Sequence, residues 1–179
     1  MSYDPWRTRL RVSGIVLPVW SYIGITEGWT EVDQVEKRRD VNGGTCVLRP
    51  LWAKKYKISL SASGPAIRWV PAFEKLDKET VVALESTRFM TDGILAGQSS
   101  TTLMRPPVAG SVKVWRAGDR FEAPVPFTLL DRLVSVAAPA SEDLVVRFRP
   151  VFYVTRNSAS GNHPETQGTV DWQAEFEEA

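Results

Sequence analysis

The sequence is poor in the side chains that carry most enzyme chemistry. It has a single cysteine, Cys46, and a single histidine, His163, among 179 residues. One cysteine excludes an intrachain disulfide, which fits folding and assembly in a reducing cytoplasm. A thiolate at Cys46 needs a base, and the lone imidazole is distant along the chain. Beside Val47 and Leu48, Cys46 reads as a small hydrophobe of a strand. His163 stands in the polar run Ser158-Ala159-Ser160-Gly161-Asn162-His163-Pro164, with Glu165 near it but no Gly-x-Ser-x-Gly elbow to supply a nucleophile. It reads as an exposed loop histidine. A zinc site built on these two residues leans on carboxylates, and no pair of those has ligand spacing, so neither metal nor cofactor is expected.

Other absences narrow the function further. There is no G-x-x-x-x-G-K-[ST] and no G-x-G-x-x-G, so the common phosphate and dinucleotide cradles are missing. No stretch approaches the roughly 18 apolar residues that span a bilayer. The start, Met1-Ser2-Tyr3-Asp4-Pro5-Trp6-Arg7, lacks the basic-then-apolar pattern of a signal peptide, and no membrane partner is expected. Neither sign of charge dominates, with 22 basic against 21 acidic residues and a net charge of +1, which speaks against a protein that coats nucleic acid. Two basic clusters, Lys37-Arg38-Arg39 and Lys54-Lys55-Tyr56-Lys57, have the chemistry to touch a phosphate backbone. Both adjoin predicted strands, where lysine guards an edge against stray pairing, and that structural role is preferred. A glycosidase carboxylate pair remains open on composition alone. Asp171 and Glu175, however, share the solvent face of one predicted strand, as a solvated surface would have them. No enzymatic activity is expected.

What the sequence does have is tryptophan and alternation. With 43% hydrophobic and 24% charged residues it is a globular composition, and its length suits a single domain, residues 1–179, stable without disulfide or metal. Seven tryptophans exceed the needs of one core, so they divide between core and interfaces. Period-two alternation places side chains on opposite faces of a strand. It runs through Leu10, Val12, Gly14 and Val16 and ends at Pro18, and a second apolar run spans Val19 to Ile25. Val35 to Val41, then Asn42-Gly43-Gly44, then Thr45 to Leu48, predict a hairpin, since Asn-Gly supplies the positive φ of tight turns. Tyr56, Ile58, Leu60 and Ala62 alternate with Lys57, Ser59, Ser61 and Ser63 up to Gly64-Pro65. Ala66 to Lys78 reads as a loop packed on the core, and Thr80 to Leu84 as a strand.

Residues 87–110 are rich in Gly, Ser, Thr and Pro and predict a long loop or arm, within which the irregular Gly97 to Pro107 segment is expected to be ordered by a neighbour. Val112 to Trp115 and Arg120 to Ala123 predict a hairpin across Ala117-Gly118-Asp119. In Thr128 to Val136 a helix competes with strand, because Leu129, Leu130, Leu133 and Val136 sit near helical spacing between Pro126 and Pro139. The C-terminal third predicts two long strands joined by a polar loop. One runs through Val146, Phe148, Phe152 and Val154, broken at Pro150, and the other through Val170, Trp172, Ala174 and Phe176. The whole predicts an all-β fold, an antiparallel sandwich or barrel with long loop or arm insertions and at most one short helix.

The opening Arg9-Leu10-Arg11-Val12-Ser13-Gly14-Ile15-Val16-Leu17-Pro18 resembles the start of small tail-module proteins of long-tailed bacteriophages. So do Arg38-Arg39-Asp40-Val41-Asn42-Gly43-Gly44-Thr45, the strand Lys55 to Ala62 with Pro71-Ala72-Phe73 after it, and the close, Phe148 to Val154 with Val170 to Glu178. An arginine-proline strand, a polar loop and a tryptophan strand ending in acidic residues is similar to minor tail and distal-tail proteins. The likeness covers both ends and leaves Thr87 to Ser141 uncovered. It implies a structural β-domain in a homo-oligomeric ring of the virion tail, contacting tail tube, hub or baseplate, and fibres. Candidate subunit contacts are Trp6 and Arg7 at the start, Gln98, Ser99, Thr101 and Arg105 in the irregular segment, and Asn157, His163 and Glu165 in the polar loop. The alternative is a carbohydrate- or receptor-binding module with two or more exposed tryptophans in one plane.

Overall fold

A computed structural model describes residues 10–16, 25–32, 36–39, 41–48, 54–64, 73–162 and 170–179. The fold is all-β: its paired strands are antiparallel, no α-helix occurs among the described residues, and no barrel closes. The chain forms two compact units interleaved in sequence, Met1–Tyr22 with Val82–Tyr153, and Ile23–Val81 with Val154–Ala179.

In the first unit, β1 (Arg11–Val12) pairs with β6 (Val82–Glu85). The alternation predicted to run on to Val16 stops at Val12, because Gly14 takes a left-handed φ of 78° and turns the chain, leaving Val16 exposed. Two three-stranded sheets follow. One is β7 (Met90–Ile94), β12 (Leu144–Phe148) and β9 (Lys113–Arg116), with β12 central. The other is β10 (Thr128–Leu130), β11 (Leu133–Ser135) and β8 (Ser100–Thr102), with β11 central. Both feed one core of Ile94, Leu103, Val112, Val114, Val134, Leu144, Val146 and Phe148, which makes this unit a small sandwich.

Residues 87–110, predicted as a loop or arm with Gly97 to Pro107 ordered by a neighbour, are built into this unit. They contain β7 and β8, bury Ile94, Leu103 and Val108, and bond their backbone locally, as in Leu103 N to Arg132 O at 2.8 Å and Gly97 N to Ala140 O at 2.8 Å. The predicted 112–123 hairpin is half present. β9 forms but pairs with β12, while the Asp119 carboxylate accepts hydrogen bonds from Phe121 N at 2.9 Å and Ala123 N at 3.0 Å and closes a turn instead. The helix competing over 128–136 gives way to the β10–β11 hairpin, which turns through Asp131 at φ 53°. A helix confined between Pro126 and Pro139 is too short to be stable alone, whereas the hairpin buries Val134.

Arg149 anchors the seam after β12. It is buried, donates from Nε to Ser86 O at 2.7 Å, receives Val108 N on its carbonyl at 2.8 Å, and donates its own N–H to Ser111 Oγ at 3.1 Å. Pro150 follows, and there the chain leaves the sheet of β7, β12 and β9 and enters β13 (Val151–Asn162).

The second unit carries β13 from Val154 onward, β14 (Val170–Glu178), β5 (Tyr56–Gly64) and β2 (Thr26–Glu31), hydrogen-bonded in that order. Register sets Trp172 beside Ala62, Ala174 beside Leu60 and Phe176 beside Ile58, and all six are buried. Phe73 covers this face, its ring centroid 5.4 Å from Trp172 and 5.9 Å from Phe176, and Arg156 Nη1 ties that loop down through Phe73 O at 2.8 Å and Glu74 O at 2.9 Å. The register of β13 on β14 shifts between Arg156 and Ser158, so Asn157 is a bulge residue. β3 (Glu36–Arg39) and β4 (Thr45–Leu48) form the predicted hairpin, closed at Arg39 and Thr45 with Gly43 at φ 81°, a wider loop than an Asn-Gly turn alone requires. β5 lies between β14 and β2, so the edge-guarding role expected of Lys54 to Lys57 does not apply there; Lys54 instead pairs with Glu31 at 3.0 Å. The apolar run predicted from Val19 lies outside the described residues, except Ile25.

Candidate interaction surface

The β10–β11 hairpin exposes several large apolar side chains. Cross-strand partners share a face. Leu129 therefore shares a face with buried Val134, and Leu130 shares the other with Leu133. Leu130 is 74% exposed and Leu133 39%, with Phe127 and Leu129 also exposed beside them. β10 is an edge strand, and Phe127 to Leu130 contains no charge. Exposed edges are ordinarily blunted by charge, proline or bulges. Here Pro126 lies before the strand and Asp131 after it, β10 is three residues long, and among the described residues no further strand pairs with its outer edge.

Phe121 extends the apolar character of this part of the chain. It is 93% exposed, on the turn that the Asp119 carboxylate closes, next to Glu122 at φ 49°. A non-glycine residue in the left-handed region costs about 1 kcal/mol or more and persists only where its surroundings fix it. The loop is thus held in shape while its aromatic side chain stays in solvent. An open edge offers backbone N–H and C=O groups to an extended strand, and the leucines and phenylalanines beside it suit apolar side chains of a partner.

Of the contacts expected from sequence, Thr101 lies in this same sheet and Ser99 just before its strand β8. Ser99 O accepts from Val136 N at 2.9 Å, and Thr101 pairs with Val134 in β8. Gln98 is exposed, and its carbonyl accepts from Ala140 N at 2.9 Å. Arg105 is buried, with Nη1 donating to Met104 O at 3.0 Å, so it is no surface contact. Asn157 belongs to the other unit, where Nδ2 donates to Glu177 Oε2 at 3.1 Å. Trp6, Arg7, His163 and Glu165 lie outside the described residues. Phe121, Phe127, Leu130 and Leu133 were missed. Their signal was the unalternating Leu129-Leu130 pair, which helical spacing also explains.

A cleft of about 280 Å³ opens on the outer face of the second unit, lined by Thr30, Lys57, Ser59, Asn157 and Glu175. Among the described residues its only carboxylate is Glu175, and Asp171 stands on the same exposed face further along β14. No cluster of metal-ligating side chains occurs among the described residues. Trp172 is buried and Trp29 and Trp115 are half-buried, so no described tryptophan offers an exposed stacking platform. Trp6, Trp20, Trp52 and Trp69 lie outside the described residues. Among the described residues no helix is long and apolar enough to cross a membrane. No protein-family model matches the chain, and no curated protein matches it.

Proposed function

We propose that the chain is a structural component of a bacteriophage tail, a ring-forming distal-tail or tail-tip part joining the tail tube to the tip or baseplate. The observation that carries the reading is the uncharged, solvent-exposed edge of β10 with Leu130 and Leu133 beside it. Such an edge is a liability to a free monomer and an asset to a part that spends its life covered. The resemblance at both ends of the sequence supplies the kind of assembly. The segment 87–110 lends no support, because the chain's own core orders it. On this reading the chain performs no reaction, and its work is shape and contact.

Quantitative mass spectrometry of purified phage particles tests the proposal. The expected result is the intact chain in a fixed number of copies per particle, greater than one. A chain absent from particles, or present in irreproducible trace amounts, overturns it.

A further inference from the structure

The pairing of β11 fixes where the backbone of β10 points. Val136 N donates to Ser99 O at 2.9 Å, and Arg132 O accepts from Leu103 N at 2.8 Å. The pairs Leu133 with Thr102 and Ser135 with Ser100 are thus flanked by hydrogen bonds and make none between themselves. In an antiparallel ladder such pairs alternate with hydrogen-bonded ones. Val134 therefore turns its N–H and C=O toward Thr101, while Leu133 and Ser135 turn theirs toward Leu130 and Thr128. Leu129, opposite Val134, is left directing its N–H and C=O out of the outer edge of the sheet. All three residues of β10 are exposed. The outer edge of β9 is by contrast occupied, since Val125 N donates to Val114 O at 2.8 Å.

A donor and an acceptor on one central residue of an edge strand match a second copy of themselves. Residues opposite each other in an antiparallel pair share a face. Laid antiparallel on β10 with Leu129 opposite Leu129, a second β10 exchanges both N–H···O=C bonds with the first. Each Leu130 then stands opposite Thr128 of the other copy. A slip of two residues brings Leu129 opposite Phe127, outside the strand, or opposite Asp131, whose left-handed φ of 53° ends the extended backbone. Only the symmetric register pairs all three residues. It sets the two exposed Leu129 side chains across the axis and brings the two Leu130 side chains within diagonal reach. Phe127 to Leu130 carries no charge, so no like-charge pair opposes the approach of an identical strand.

We infer that two copies of this chain join through β10, antiparallel about a two-fold axis at Leu129, making one continuous sheet of their two three-stranded ones. The contact is isologous and closes on itself. The inference rests on the reading of this edge as a covered surface and names what covers it. Growth into a ring then uses a further, different contact.

Sedimentation equilibrium of the full chain over a range of concentrations tests the pairing, and a reversible monomer–dimer equilibrium is expected. The double variants T128K/L130K and T128E/L130E set like charges opposite each other at both ends of the pair. Each is expected to weaken dimerisation by about tenfold or more. An equimolar mixture of the two is expected to dimerise again, because opposite charges then face each other, and that recovery establishes that both fold. Register is read by mild oxidation: a mixture of T128C and L130C chains is expected to form a covalent dimer that neither variant alone forms, with the wild type and its Cys46 as control. A wild-type chain that stays monomeric at high concentration overturns the inference. So does a dimer unmoved by both double variants, a mixture that stays monomeric, or cross-linking by L130C alone. None of these results touches the copy number in particles, which decides the assembly reading separately, and a chain absent from particles that still dimerises through β10 overturns that reading alone.

Discussion

In the β13–β14 hairpin the side chains sort cleanly. Trp172, Ala174 and Phe176 are buried, while Asp171, Gln173 and Glu175 are exposed. In the β10–β11 hairpin the sorting fails, with Leu129 and Leu130 adjacent in sequence and both exposed. The first hairpin is a finished object, with one face for the core and one for water. The second has an inner face closed over Val134 and an outer face on which exposed Leu130 and Leu133 stand among Thr128, Ser135, Ser100 and Thr102. Two strands paired by the same backbone rules thus differ in what they are for, and the difference lies in which side chains face away from the core.

Truncation breaks the comparison most sharply. Phe176→Ala removes a fully buried ring packed edge-on against Phe73 and is expected to cost about 3–5 kcal/mol in chemical denaturation. Asp131→Val forces a β-branched residue into the left-handed turn of β10–β11 and is expected to cost about 1–2 kcal/mol, with Asp131→Gly near neutral as its control. Asp119→Ala leaves the Phe121 and Ala123 amides without their carboxylate. Its expected cost is about 1 kcal/mol, read in the same unfolding experiment, together with faster local hydrogen exchange over 119–123. The smallest expected effect on stability belongs to Leu130→Ser, within about 0.5 kcal/mol of the parent, while assembly into particles falls. A Leu130→Ser variant that loses several kcal/mol would erase the distinction between the hairpins.

The sequence made β14 and β5 legible because burial on one face leaves a strict period of two, and Ile58, Leu60, Ala62 and Trp172, Ala174, Phe176 follow it without exception. It made β10–β11 illegible for the same reason in reverse: a strand apolar on both sides has no period, and Leu129, Leu130 and Leu133 then satisfy helical spacing as well. Residues 87–110 misled through composition. Glycine, serine and proline mark irregular backbone, but they do not reveal that Leu103 and Val108, spaced by a turn, each reach a core. The bulge at Asn157 and the buried Arg149 were also invisible, since one is a register shift and the other depends on carbonyls brought together by the fold. Of the expected contacts, Thr101 fell in the sheet of the exposed hairpin, Ser99 just before β8, and Arg105 in the interior.

Hydrogen exchange of the same chain, free and within assembled particles, tests the central claim that the β10 edge is a docking surface. Assembly is expected to slow exchange across 127–133 by about tenfold or more, as an open edge gains a partner strand or an apolar cover, while β14 is expected to be strongly protected in both states. Equal exchange at 127–133 in the free and assembled chain would contradict the account.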